Sequence, residues 1–146
     1  MRHILVVDHY EAVGEGTKRL LDEEVDFQVT FLCSSEAALE VIEKQKFDVL
    51  LFDLDMPVIR GQEFVKKVAE LDSDLRMMIF TGYDTEPFFH TFIELGVSGF
   101  VSKTASKEQL IAITASPRNT ERIVAISCSL DAVLLTKPET PNSMKV

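Results

Sequence analysis

Four polar residues in this 146-residue chain stand where chemistry is possible: Asp8, Asp53, Thr81 and Lys103. Each lies at, or just past, the C-terminal end of a separate apolar run: Ile4-Leu5-Val6-Val7, Val49-Leu50-Leu51-Phe52, Met77-Met78-Ile79-Phe80 and Gly99-Phe100-Val101. If those runs are parallel strands, all four ends share one edge of a sheet. Neighbouring strands are ~4.8 Å apart, so Asp8 and Asp53 would stand nearly side by side. Two close carboxylates repel, and a cation relieves the repulsion. Hard oxygen donors in small number suit Mg²⁺, and Lys103 adds a point charge. A carboxylate so placed can act as nucleophile and form an aspartyl-phosphate, with the cation and Lys103 neutralising the transferring group. Thr81 can then donate its hydroxyl to a phosphoryl oxygen and move its loop.

The positioning elements follow from the pattern around these residues. The first apolar run, β-branched and uninterrupted, fits a strand buried on both faces. A helix is expected from about Tyr10 to Leu21, with Val13, Leu20 and Leu21 on one side. Phe27 to Leu32 alternates and reads as an edge strand. Ser34 or Ser35 caps a second helix with Ala38, Val41 and Ile42 inward. Gly61 to Leu71 is a third helix through Phe64/Val68 and Val65/Ala69. Pro87 opens a fourth through Phe88/Phe92 and Phe89/Ile93, which Gly96 ends. Ser106 caps a fifth, running to Ala115 before Pro117. Five strand-helix repeats predict an α/β fold with a parallel sheet and helices on both faces, and the common open orders place strand 1 beside strand 3 with the ligand crevice at the strands' C-terminal ends.

Composition narrows the function. The net charge is −9 and 46% of residues are hydrophobic, which supports a core and argues against direct nucleic-acid contact. Cys33 and Cys128 form no metal spacing and no disulfide framework. No apolar run approaches the ~20 residues of a membrane span, and Asp8 comes too early for a signal peptide. A cytoplasmic protein is expected. Residues 1–118 should form one domain, 119–136 an extension packed on it, strand-like or helical, and 137–146 a linker toward an absent output domain.

In order and spacing, Ile4-Leu5-Val6-Val7-Asp8, Asp53-Leu54-Asp55-Met56-Pro57, Gly61, Thr81-Gly82 and Ser102-Lys103 resemble the receiver domain of two-component response regulators, which implies a flavodoxin-like (βα)5 fold with a parallel sheet of order 2-1-3-4-5. The resemblance covers roughly residues 2 to 116. It implies that Asp53 is the phosphoacceptor, that Asp8, Asp53 and the backbone carbonyl of Asp55 hold Mg²⁺, and that Thr81 and Lys103 contact the phosphoryl group. It implies that Phe100 is a switch aromatic that turns inward with Thr81, and that Asp55 and Tyr83 tune hydrolysis. It further implies a sensor histidine kinase as phosphodonor, with self-phosphorylation and self-dephosphorylation as the only chemistry rather than enzyme turnover. Glu15-Gly16-Thr17, Thr81-Gly82-Tyr83 and Ser102-Lys103-Thr104 look like the regulators that end in a LuxR-type helix-turn-helix, which implies homodimerisation and DNA binding through that missing domain. The fourth helix, fifth strand and fifth helix form one candidate dimer surface; the first and fifth helices form another.

One position departs from the family. His9 stands where a second acid usually follows Asp8, and imidazole suits transition metals better than Mg²⁺. Weak Mg²⁺ binding is therefore expected, with His9 as a substitute ligand or a partial replacement for the cation's charge. The departure also supports an alternative, a pseudo-receiver that binds partners without phosphorylation. A remoter alternative is a haloacid-dehalogenase-like phosphatase, from the D-x-D pattern Asp53-Leu54-Asp55; Met56-Pro57 in place of Gly-Thr counts against it.

Overall fold

A computed structural model describes residues 1–82, 89–115, 122–125 and 134–137 of the chain. Five strands, β1 (Arg2–Val7), β2 (Phe27–Leu32), β3 (Val49–Phe52), β4 (Arg76–Thr81) and β5 (Gly99–Ser102), alternate with helices α1 (Glu11–Asp22), α2 (Ser35–Lys44), α3 (Gly61–Leu71), α4 (Phe89–Leu95) and α5 (Lys107–Thr114). The five strands form one parallel sheet in the order β2-β1-β3-β4-β5. That is the expected order. The central strands are apolar on both faces because both faces are covered: Ile4, Val6, Val49, Leu51, Met78 and Phe80 point into one core, and Leu5, Val7, Leu50, Phe52, Met77 and Ile79 into the other. β2 pairs only with β1 and buries one residue fully, Val29, as its alternating pattern predicts for an edge.

Local chemistry sets the helix ends. Ser34 caps α2, its hydroxyl accepting from Ala37 N at 3.2 Å. Ser106 and Gln109 form a reciprocal capping box at the start of α5. Gly96, at φ 115°, ends α4 in the left-handed region that glycine tolerates.

The first helix differs from expectation. Its buried residues are Gly14, Thr17 and Leu21, while Val13 is 41% exposed. Gly14 faces the Phe31 ring so closely that a Cβ would lie 2.0 Å from its Cε1, and Thr17 turns its hydroxyl back to Val13 O at 2.9 Å. A glycine and a threonine thus form the inward stripe, and counting apolar residues misplaces it. Arg76 opens β4 from a buried position; burial, with Arg2 nearby, holds its guanidinium below the ordinary range.

Beyond α5, β6 (Arg122–Ala125) and β7 (Leu134–Lys137) pair antiparallel in a separate two-stranded sheet, and β6 approaches β5. The expected extension is therefore strand in these parts, and β7 ends one residue inside the expected linker. The boundary at 118, residues 138–146, Pro87 and Phe88 lie outside the described residues. Among the described residues no helix is long and apolar enough to cross a membrane.

Candidate functional site

The register of β1 against β3 pairs Val7 with Phe52, so the next residues, Asp8 and Asp53, leave the sheet together. Backbone bonds fix both: Asp8 N donates to Leu32 O at 3.2 Å, and Asp53 N to Val7 O at 3.1 Å. On the other side of β3, β4 carries on to Thr81, which pairs with Ser102 of β5, and Lys103 N donates to Thr81 O at 3.0 Å. The parallel sheet thus delivers all four predicted residues to one edge.

Lys103 joins the acids directly. Its Nζ lies 2.7 Å from Asp8 Oδ2 and 2.5 Å from Asp53 Oδ2. The residues Asp8 and Asp53 are 2% and 3% exposed, so the ammonium compensates charges that water barely reaches. Burial by itself would lower the Lys103 pKa, but hydrogen bonds and attraction from Asp53 and Asp8 outweigh it and raise the ammonium above its ordinary value. Two carboxylates against one ammonium leave a formal charge of about −1. Each acid's second oxygen accepts a backbone N–H: Tyr10 N donates to Asp8 Oδ1 at 2.8 Å, and Asp55 N to Asp53 Oδ1 at 3.0 Å.

The loop that carries Lys103 is hydrogen-bonded within itself. Thr104 N donates to Ser102 Oγ at 3.1 Å, the Ser102 and Thr104 hydroxyls are 2.9 Å apart, and Ala105 N donates to Ser102 O at 2.9 Å. The capping box of α5 follows at once. Thr81 is buried at 2% exposure. Phe100, expected to be a switch aromatic, is buried too, edge-on to Phe92 with centroids 6.4 Å apart. Tyr83 lies outside the described residues.

His9 does not join the cluster. It is exposed and meets the Tyr10 ring edge-on at 5.1 Å between centroids. Among the described residues no group of three His, Cys, Asp or Glu side chains is arranged to hold a metal, so the expectation of His9 as a substitute ligand gains nothing from the geometry. Sequence reasoning overlooked Tyr10. Its hydroxyl donates to Asp55 Oδ2 at 3.2 Å, and its ring centroid is 5.9 Å from Lys103 Nζ. No period or motif in the sequence marked it.

Residues 4–115 match the family described as the response regulator receiver domain. This chain belongs to the response regulator receiver family. The receiver is similar to the transcriptional regulatory protein ComA of Bacillus subtilis, 33% identical over an alignment of 151 positions that covers 99% of this chain and 70% of that protein. It is similar to the response regulator UvrY of Escherichia coli K12, 28% identical over 86% of this chain and 58% of UvrY. The chain therefore spans little more than half of UvrY and 46% of DegU of Brevibacillus brevis. Among solved structures, a LuxR-family two-component response regulator from Aurantimonas superposes with TM-score 0.71 at 27% identity, covering 80% of this chain and 86% of that one. A receiver from Methanospirillum hungatei, 24% identical with TM-score 0.71 over 77% of this chain and 90% of that one, shares the fold. The subgroup read from the sequence agrees with these relatives, and the D-x-D phosphatase reading is left without support.

Proposed function

We propose that this receiver is phosphorylated on Asp53 by a sensor histidine kinase and relays the change to transcription. The observation that carries the proposal is the single ammonium of Lys103 bonded to both buried carboxylates. A carboxylate oxygen of Asp53 attacks the phosphorus of a phosphohistidine. The P–N bond breaks as the P–O bond forms, and the imidazole leaves with the electron pair and takes up a proton. Lys103 exchanges its bond to Asp53 for one to a phosphoryl oxygen, and Thr81 donates its hydroxyl to another. Hydrolysis reverses the charge change: water attacks phosphorus, the acyl P–O bond breaks, and inorganic phosphate leaves with the carboxylate restored. The chemistry is confined to the chain itself, and Asp55 and Tyr83 tune its second half.

The residues present suit Mg²⁺. Two buried carboxylates retain net negative charge after pairing with Lys103, and oxygen donors in small number are what this ion takes. Asp8, Asp53 and the backbone carbonyl of Asp55 would hold it, and bound there it neutralises charge on the transferring phosphoryl group. With histidine instead of a third acid at position 9, binding is weak. Output runs through Thr81 and Phe100 to homodimerisation and then DNA binding by a helix-turn-helix in the longer protein, in the cytoplasm.

The test treats wild type and Asp53→Asn with phosphoramidate and Mg²⁺ and reads intact mass. Wild type gains one phosphoryl group and the variant none. A wild type that gains nothing overturns the proposal and leaves the pseudo-receiver, suggested by exposed His9, as the reading that survives.

A further inference from the structure

Asp53 is 3% exposed although its oxygen must meet a phosphodonor from solvent. Tyr10 borders the pocket and touches the groups around that oxygen, Asp8, Asp55 and Lys103. This residue is tied to the pocket at three points. Its backbone N donates to Asp8 Oδ1 at 2.8 Å. Its hydroxyl donates to Asp55 Oδ2 at 3.2 Å, and Asp55 N in turn donates to Asp53 Oδ1 at 3.0 Å. Its ring centroid lies 5.9 Å from the Nζ of Lys103, within reach of a cation–π attraction. The side chain therefore runs from the β1 end of the site to the β3 end, across the lysine. It is nonetheless 51% exposed, with one face to solvent, so it can swing away without unpacking a core.

We infer that Tyr10 is a gate over the acceptor, a positioning residue whose closed state is latched on Asp55 and Lys103 and which limits both phosphoryl entry and attack by water on the acyl phosphate. The inference rests on Asp53 being the acceptor. It assigns the side chain of Asp55 a definite task, that of catch for the latch, rather than a contact with the phosphoryl group. Opening costs the hydroxyl's hydrogen bond and the ring's contact with the ammonium. A phosphoramidate molecule enters, the Asp53 oxygen bonds to phosphorus, and the P–N bond breaks with ammonia as leaving group. In the reverse half, water must pass the same side chain to reach phosphorus.

Tyr10→Phe removes the catch and keeps the ring; Tyr10→Ala removes both. The experiment measures rate constants for phosphorylation by phosphoramidate with Mg²⁺, and for subsequent loss of the phosphoryl group, by intact-mass time courses on wild type and both variants. Both constants rise about two- to tenfold for Tyr10→Phe and about five- to fiftyfold for Tyr10→Ala, while the urea midpoint falls by no more than the same lost latch contacts account for, because the residue is half exposed. Rates in both variants equal to or below wild type overturn the gate. If neither wild type nor variants take up phosphate, the acceptor reading fails and takes the gate with it. If wild type does and the variants match it, the gate alone fails.

Discussion

Lys103 holds the site together. Without it, Asp8 and Asp53 face each other buried and unscreened, which is the costly case for an ion cluster. Lys103→Met should lower stability by about 1–3 kcal/mol at pH 7, a range reduced from the fully buried case because the pocket opens to solvent; urea unfolding checks it. The pH dependence has a definite sign. The folded-state pKa of Lys103 is raised, so its contribution is complete below the unfolded value and is lost only as pH rises through the folded one. Wild type should therefore lose stability in the alkaline limb, above about pH 10.4, and Lys103→Met should lack that component. Asp8, Asp53, Thr81 and Lys103 were legible in the sequence because each follows an apolar run, and a parallel sheet turns such ends into neighbours. Tyr10 was not. An exposed aromatic next to a histidine carries no period, and its bonds to Asp55 and Lys103 exist only once β1, β3 and β5 lie together.

Helix α1 shows where periodicity misleads. The absence of a side chain at Gly14 lets α1 lie close on the Phe31 ring of β2. Alanine has the better helix propensity by about 1 kcal/mol, yet here its methyl group would overlap the ring. Gly14→Ala should destabilise by about 1–3 kcal/mol, and in a Phe31→Ala background the same change should become neutral or stabilising. A double-mutant cycle by urea unfolding reads that reversal. The loop after β3 holds the opposite case. Val58 has φ 77° and is 78% exposed, a β-branched residue in the left-handed region with no burial to compensate. Val58→Gly should raise stability by about 1 kcal/mol, read as a higher unfolding midpoint with an unchanged slope. Neither position could be read from residue types: a mid-helix glycine and a loop valine acquire meaning only from φ and from what lies opposite. The strands, the caps at Ser34 and Ser106 and the stop at Gly96 could be read, because their causes are local.

Across the molecule, the five parallel strands followed from uninterrupted apolar runs alternating with helical periods, and their order β2-β1-β3-β4-β5 from the family resemblance. The part beyond α5 did not, since a mixed period there gave no choice between helix and strand. Because the pocket exists only in the folded chain, Mg²⁺ should stabilise the whole of it: at ten times the dissociation constant, about 1.4 kcal/mol by mass action. Asp8→Asn should abolish most of that gain, as a calorimetric melt with and without the ion would show. The pocket's parts also emerge from the ribosome at different times. Fifty residues separate Asp53 from Lys103, about 3–10 s of translation. A nascent chain that has already released both aspartates lacks their counter-ion for that interval. Pausing before codon 103 would prolong it, and closing this fold must wait for the lysine that follows β5, the strand that docks at the sheet's far edge.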